Sequence, residues 1–193
     1  MPDEQKTKLR LEIAHVLFID IVGYSKLRTT EQSAHIEKLR KIVRGTDQFH
    51  TAEAEGKLLR LPTGDGGALV FRNLEAPVLC AVEIANALRD HPELRVRMGI
   101  HSGPVNEVTD LNEQANIARA GINIAQRVMD CGDAGHILVS KHVAERSRTI
   151  RSVAAVSPRS RRVRNQTRRA TARGQFLQSR NRQFRDAEQT VEV

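Results

Sequence analysis

The amino-acid sequence predicts an α+β domain with a ferredoxin-like βαββαβ core, in which one sheet carries its helices on one face. Short apolar or alternating runs, which are typical of strands, alternate along the chain with longer runs that are typical of helices, because their apolar residues recur at helical spacing. The resulting order is β-α-β-β-α-β-α-β, and its first six elements follow the ferredoxin-like arrangement. We therefore expect a flank over residues 1–14, a folded domain over 15–150 and a tail over 151–193.

The first half of the domain begins with a predicted central strand. The segment AHVLFIDIVGYS opens with an apolar run typical of a buried strand and ends at a glycine. Helix formers then extend from about Thr30 to Glu53, and the apolar residues at helical spacing are Ile36, Leu39, Ile42 and Val43. The next segment, KLLRLPTGDGGALVF, predicts two strands joined by a tight Gly-Asp-Gly-Gly turn. Because proline cannot donate to a sheet ladder, Pro62 predicts an edge or a bulge at the end of the first of these strands.

The second half of the domain begins with a predicted amphipathic helix over residues 75–90, whose first turn accommodates Pro77. LRVRMGIHSGPV predicts a strand that stops at Gly-Pro, followed by a polar loop, NEVTDLNEQ. A helix is expected from about Ala115 to Asp130, where CGDAG ends it. GHILVS predicts a last short strand, and KHVAERSR the start of a helix.

The net charge of +8 belongs entirely to the tail. Residues 151–193 contain 11 arginines, no lysine and three acidic residues, whereas residues 1–150 contain 20 basic and 20 acidic residues. No window after about Arg148 has a sustained apolar face, so we expect a disordered tail. Its aromatic residues are Phe176 and Phe184, and it contains no recognisable nucleic-acid-binding module. Nucleic acid is therefore not expected as the partner, and a protein that binds it through the tail is a minor alternative.

The cysteines and the apolar runs predict a soluble cytoplasmic protein. Cys80 and Cys131 lie in apolar or helical surroundings and suggest free thiols rather than a disulfide framework. The segment MPDEQKTKLRLEIAH is too charged for a signal peptide. No apolar run approaches the roughly 18 residues of a membrane span, so no membrane is expected as a partner.

Two acidic residues occupy unusual positions for carboxylates. Asp20 interrupts the apolar strand LFIDIV, and Asp65 lies in the turn between two strands. A buried carboxylate is costly unless it is paired or binds a cation, although either residue alone could simply cap a turn. On neighbouring central strands, the two would form an oxygen site of the kind that hard divalent cations prefer. The backbone N–H groups of Gly23, Tyr24 and Ser25 could then bind phosphates.

Several segments together resemble the catalytic domain of the class III nucleotidyl cyclases. These are FIDIVGYSKL, TGDGGALVF, RMGIHSGPV, GINIAQRV and GHILVS, in that order and with the spacing of the family. The resemblance runs from about His15 to Lys141. It implies the fold of those domains and the conversion of ATP or GTP to a 3′,5′-cyclic monophosphate and pyrophosphate. It also implies a head-to-tail homodimer with two shared active sites.

The resemblance implies a role for each matching residue. Asp20 and Asp65 match the two aspartates that hold a pair of Mg²⁺ or Mn²⁺ ions, with the carbonyl of Ile21 as a further ligand. One ion would activate the ribose 3′-hydroxyl and the other would neutralise the triphosphate. Arg97 matches an arginine that binds phosphate. A last matching pair, Asn123 and Arg127, would orient the ribose and stabilise charge at the reacting phosphate.

The chain departs from the family at the positions that select the purine. The base-reading residue, usually lysine or glutamate, is Leu61, and its usual acidic partner is Asn116. Because an asparagine amide both donates and accepts hydrogen bonds, the choice of base stays open. We expect His101 to be a structural histidine rather than a ligand.

The tail departs from the family altogether. The resemblance leads us to expect a final β-hairpin whose lysine binds the triphosphate across the dimer, and residues 151–193 contain nothing like it. Codons can be chosen for residues 151–182 so that a shift of one nucleotide reads DRWQPYLHDLGECEIKHGARLHGVNFYNR, which has the character of that hairpin. We therefore predict a frameshift near residues 148–151 and a domain that lacks its last hairpin. A second hypothesis follows, namely a weakly active or inactive regulatory domain that dimerises or binds nucleotide.

Overall fold

The computed structural model describes residues 10–109, 115–117, 120–150 and 189–191. A short 3₁₀ helix, Tyr24–Lys26, lies among the main elements. The strands are β1 Arg10–Ile21, β2 Leu58–Pro62, β3 Gly66–Phe71, β4 Val96–Thr109, β5 Ala115–Ile117, β6 Ile137–Val139 and β7 Gln189–Val191. The helices are α1 Thr29–Arg44, α2 Asp47–Ala54, α3 Ala76–Leu88, α4 Ala120–Asp130 and α5 Lys141–Arg146.

All seven strands belong to one sheet, in the order β2-β3-β1-β4-β6-β7, with β5 paired to β4 beyond this path. The first four positions are those of a ferredoxin-like sheet, so the predicted fold class is confirmed. Strand β1 lies at the centre and pairs antiparallel with both β3 and β4. This register sets Asp20 opposite Gly66 on one side and opposite Arg97 on the other. Strand β2 is at the edge, as Pro62 predicts.

Alternate residues of the central strands pack on opposite faces of the sheet. On one face, Leu17 and Ile19 join the main core with residues of α1, α2, α3 and α5. On the other face, Val16 and Phe18 pack with Ala125 and Met129 of α4. The sequence predicts all helices on one face of the sheet. Helix α4 departs from that expectation because its apolar stripe covers the second apolar face that β1 and β3 present.

Gly99 explains how closely α4 approaches the sheet. A Cβ atom at this position would lie 2.6 Å from the carbonyl oxygen of Ala125 and 2.6 Å from both the backbone nitrogen and the Cβ of Met129. Such distances are far below van der Waals contact distances. Only glycine, which has no side chain, can therefore occupy position 99 while α4 packs this close to the sheet.

Three predicted boundaries differ from the structure. The long helix expected over residues 30–53 is two helices, because Thr46 begins a new one by accepting a hydrogen bond from the N–H of Phe49. Strand β4 continues through Gly103 and Pro104 to Thr109, where a loop was expected. Residues 115–117, expected to begin a helix, pair with β4 as strand β5. In this last segment, pairing with β4 overrides the local helix propensity.

Ile150, the last residue of the described segment 120–150, is 6% exposed. Glu75, at the start of α3, accepts hydrogen bonds from the Ser147 hydroxyl and from the backbone N–H groups of Arg148 and Thr149. Strand β7, which the sequence does not predict, pairs antiparallel with β6. The rest of the tail lies outside the described residues, and so does the expected disorder there.

Among the described residues, none of the helices combines the length and the apolar character that a bilayer crossing needs.

Candidate functional site

Asp20 lies at the end of β1 with its side chain on the face of the sheet that α4 covers. It is 7% exposed, which is unusual for a carboxylate. Its Oδ2 accepts a hydrogen bond of 2.9 Å from Nε of Arg97 on the neighbouring strand β4. Asp20 is therefore buried but paired, as the cost of desolvating a lone charge requires.

Asp65 lies beside Asp20 because the β2–β3 turn crosses the end of β1. The carbonyl oxygen of Asp65 accepts a hydrogen bond of 3.0 Å from the N–H of Ile21. The next residue, Gly66, pairs with Asp20, and a Cβ there would overlap the carbonyl oxygen of Ile19. A glycine after the aspartate is therefore required for the turn to lie against β1. The predicted approach of the two carboxylates on neighbouring strands is found.

The environment of Asp20 changes its protonation. Burial is the main cause that raises its pKa, to about 6. The neighbouring carboxylate of Asp65 raises the pKa further, whereas the hydrogen bond and positive charge of Arg97 lower it. The effects of burial and of Asp65 on the pKa of Asp20 outweigh the opposite effect of Arg97. When Asp20 and Asp65 are both ionised, their two negative charges exceed the single positive charge of Arg97.

Arg97 connects the carboxylates to the end of α4. Its Nη2 lies 3.0 Å from Oδ1 of Asp130, while its Nε binds Asp20. The guanidinium is therefore held between two acids on different elements. Asp130 is not among the site residues predicted from the sequence. One indication was present, because an acidic residue at a helix C-terminus opposes the helix dipole unless a cation pairs with it.

The loop after Asp20 contains the predicted phosphate-binding segment. Gly23 has a φ of 80°, a left-handed conformation that favours glycine, and it begins the 3₁₀ helix that contains Tyr24 and Ser25. The amide of Gln32 in α1 donates to the carbonyl oxygens of Tyr24 and Leu27, at 3.2 and 3.1 Å. The loop is thus fixed in place next to the two carboxylates.

Asn123 and Arg127 both lie on α4, one turn apart, and both are exposed. The other side of the helix is anchored in the sheet by Ala125 and Met129. The i, i+4 spacing therefore gives one helix surface that carries both groups away from the domain's own core.

The two predicted base-reading residues differ in what the structure describes. Leu61 in β2 is half-buried and packs against the apolar cluster that contains Ala68 and Val70. Asn116 lies in β5, and its side chain is outside the described residues.

His101 bonds through Nδ1 to the hydroxyl of Ser140, at 3.1 Å. Burial is the main cause that lowers the pKa of His101, to about 4.

The carboxylate pair has suitable chemistry for divalent cations. In the part of the chain that the structure describes, no three His, Cys, Asp or Glu side chains converge on one point. Mg²⁺ is commonly held by one or two carboxylates, with water and substrate phosphates completing its shell. A buried aspartate, Asp20, beside the partly exposed Asp65 fits that requirement, because a cation would relieve the repulsion between the two carboxylates.

The chain is similar in sequence to a curated protein. The chain is 27% identical over 151 residues to "Putative adenylate cyclase 3" of Rhizobium meliloti (strain 1021). The match covers 72% of this chain but 24% of that protein, so the chain spans about a quarter of its relative's length. No protein-family model matches the chain.

Solved structures share the fold. The catalytic core of a rhodopsin-guanylyl cyclase with converted specificity, bound to ATPαS, matches with a TM-score of 0.57 and 23% identity over 72% of this chain and 83% of that one. A non-canonical dimeric guanylyl cyclase domain of the RhoGC fusion protein from the aquatic fungus Blastocladiella emersonii matches with a TM-score of 0.56 and 24% identity, over 70% and 84% of the two chains. The chain thus has the fold of the class III nucleotidyl cyclase catalytic domains, and the resemblance that its motifs predict is confirmed.

Proposed function

We propose that this chain is a nucleotidyl cyclase domain that converts a nucleoside triphosphate to its 3′,5′-cyclic monophosphate and pyrophosphate. The observation that carries the proposal is the pair of the buried Asp20 and the adjacent Asp65, with Arg97 beside it, in a cyclase fold. A site built for charge explains why the fold tolerates an acidic group in the middle of its apolar sheet.

The two aspartates would hold the divalent cations, together with the carbonyl oxygen of Ile21. When bound, two such ions would activate the ribose 3′-hydroxyl and neutralise the triphosphate. Asp20 must lose its proton to become a ligand, which its raised pKa allows above about pH 6. The loop of Gly23, Tyr24 and Ser25 would place backbone N–H groups against the phosphates.

Arg97 would turn from Asp20 toward phosphate. In the structure its guanidinium compensates the carboxylate that a cation would otherwise neutralise. Once a cation binds Asp20, the arginine is available for the triphosphate while Asp130 still holds its Nη2. The resemblance assigns Arg97 this phosphate role, and the structure places it within reach of Asp20.

The homodimer explains why Asn123 and Arg127 are exposed. Both would act on a nucleotide held mainly by the partner subunit, Asn123 by orienting the ribose and Arg127 by stabilising charge at the reacting phosphate. Their position on the outer side of α4 supports this arrangement.

The purine is left open by Leu61 and Asn116. A leucine contacts either base without reading its polar edge, and an asparagine amide can satisfy either base. We therefore expect weak discrimination between ATP and GTP. The cytoplasmic location also stays a prediction.

The direct test is an assay of ATP and GTP with Mn²⁺, on this chain and on a version that carries the frame-shifted ending. We expect cyclic nucleotide from both, with a higher rate from the second, because a lysine across the dimer then contacts the triphosphate. Asp20→Ala and Asp65→Ala should each lower the rate by about 10²-fold or more. Asp90→Ala, a change at an exposed acid outside the site, is the matched control.

Two other outcomes have clear meanings. Nucleotide binding without turnover in both versions would support the regulatory hypothesis instead. Salt-sensitive DNA binding that disappears when residues 151–193 are deleted would support the nucleic-acid hypothesis. Sequencing of the coding DNA tests the frameshift separately: if no frame near codon 150 encodes the hairpin-like segment, that prediction is wrong.

A further inference from the structure

A cleft of about 400 Å³ lies between α1 and the edge of the sheet formed by β2 and β3. Its floor and the side chain of Asp20 lie on opposite faces of β1. Ile19 lines the cleft and belongs to the main core, whereas the side chain of the next residue, Asp20, lies on the other face. The two sites meet at one end, because the lining of the cleft also includes Leu61, the proposed base-reading residue, and Gly66, which pairs with Asp20.

The floor of the cleft is apolar. Leu39 and Phe49 come from helices α1 and α2, Ile19 and Leu69 come from the sheet, and all four are at most 7% exposed. The half-buried side chains of Ile36 and Val43 extend this surface toward solvent. Such a volume with a mainly apolar lining is typical of sites for small organic molecules.

The mouth of the cleft is cationic. Of the residues that the structure describes, three arginines line it, Arg40 and Arg44 from α1 and Arg60 from β2, and no acidic residue does. Arg40 and Arg60 also pair with Glu37 and Glu53, at 3.1 and 2.6 Å. Among the described residues, Arg44 has no acidic side chain within ion-pairing distance, so its charge faces the cleft mouth without local compensation.

We propose that this cleft is a binding site for an aliphatic carboxylate, with the chain on the apolar floor and the carboxylate at Arg44. An apolar floor alone would bind any apolar molecule of suitable size. The three guanidinium groups at the mouth favour a ligand with a negative charge and disfavour one with a positive charge. Decanoate has a volume well within the cleft and is the probe of choice. Its dissociation constant is expected between about 10 μM and 1 mM, the range for a ligand of this size.

A ligand in the cleft would also touch the turn that carries Asp65. Pro62, Thr63 and Gly66 belong to both, and the hydroxyl of Thr63 lies 3.4 Å from Oδ1 of Asp65. Occupation of the cleft would therefore alter the position of one proposed metal ligand. This coupling rests on the proposed cyclase function, but binding itself does not, so the two can fail separately.

Calorimetric titration of the full chain with decanoate tests binding. Decan-1-ol and decylammonium have the same chain with no charge and with the opposite charge, and we expect each to bind at least tenfold more weakly. Arg44→Gln should weaken decanoate binding about five- to tenfold without affecting decan-1-ol. Arg89→Gln, at an exposed arginine on the end of α3 outside the cleft, should leave both unchanged.

A second variant tests the location independently of charge. Ile36→Phe adds volume at a half-buried position in the cleft and should abolish binding of decanoate, while circular dichroism confirms that the variant folds. No binding at 1 mM, equal binding of decylammonium, or binding that persists unchanged in both Arg44→Gln and Ile36→Phe would each overturn the proposal. Bound decanoate that leaves Mn²⁺ affinity unchanged would overturn only the coupling to Asp65.

Discussion

Nε of Arg97 donates a hydrogen bond of 2.9 Å to Oδ2 of Asp20, across the central pair of strands β1 and β4. The positive charge of Arg97 thus compensates the buried carboxylate of Asp20, as a bound metal ion would. The same guanidinium is also paired with Asp130, so Asp20, Arg97 and Asp130 are linked in a row that joins the end of β1 to the end of α4. These ion pairs and the packing around them have measurable consequences.

Asp20→Asn should stabilise the cation-free protein at pH 7.5 by about 1 kcal/mol, after allowance for solvent screening. The raised pKa means that the folded state keeps the proton between the ordinary value of 3.8 and about 6, where the unfolded chain has lost it. Asp20 therefore lowers stability as the pH rises through this window. Urea unfolding of both proteins at pH 4 and 7.5 measures the effect, and the difference should vanish near pH 4. A variant that is less stable than the parent at pH 7.5 would contradict it.

Asp130→Asn should weaken Mn²⁺ binding roughly three- to fivefold, as expected for a partly exposed charge pair. Without Asp130, the guanidinium of Arg97 is held by Asp20 alone and competes more strongly with the cation. Electron paramagnetic resonance of free Mn²⁺ measures the affinity. Asp133→Asn removes an equal charge three residues further on, at an exposed position. Equal weakening in both variants would mean that overall charge, not Arg97, is responsible.

Gly99→Ala should lower the free energy of unfolding by about 3 kcal/mol, because the new Cβ forces α4 away from the sheet. The distances of 2.6 Å to the backbone of Ala125 and Met129 leave no room for local adjustment. Gly64→Ala is the matched control, since nothing lies within 4 Å of a Cβ there and its φ is not left-handed. Chemical denaturation of the two variants should separate them clearly, and equal stability would disprove the close packing of α4.

The two cysteines should react with thiol reagents at very different rates. Cys131 is exposed, whereas Cys80 is buried and burial is the main cause that raises its pKa, to about 11. Since the thiolate is the reactive form, Ellman's reagent at pH 8 should modify one thiol quickly and the second only after unfolding. Peptide mapping should identify Cys131 as the fast site, and rapid reaction of both thiols in the native protein would contradict the burial of Cys80.

The sequence alone determined the order of most elements and led to the prediction that Asp20 meets Asp65. The order of elements and the Gly-Asp-Gly-Gly turn between β2 and β3 depend on local information. The meeting of the two carboxylates also needs β3 to pair with β1, a contact between segments far apart in the chain. The predicted edge position of Pro62 and the buried start of the chain's central strand have the same local origin.

Only the tertiary structure decided which face of the sheet α4 covers, that residues 115–117 are a strand, and that Asp130 holds Arg97. The first and the last depend on contacts between segments far apart in the chain, whereas the strand over 115–117 depends on pairing with the nearby end of β4. Periodicity shows that α4 has an apolar stripe, but both faces of this sheet offer an apolar surface to receive it. Packing between distant elements made the choice, and with it placed the acid at the end of α4 against the arginine of β4.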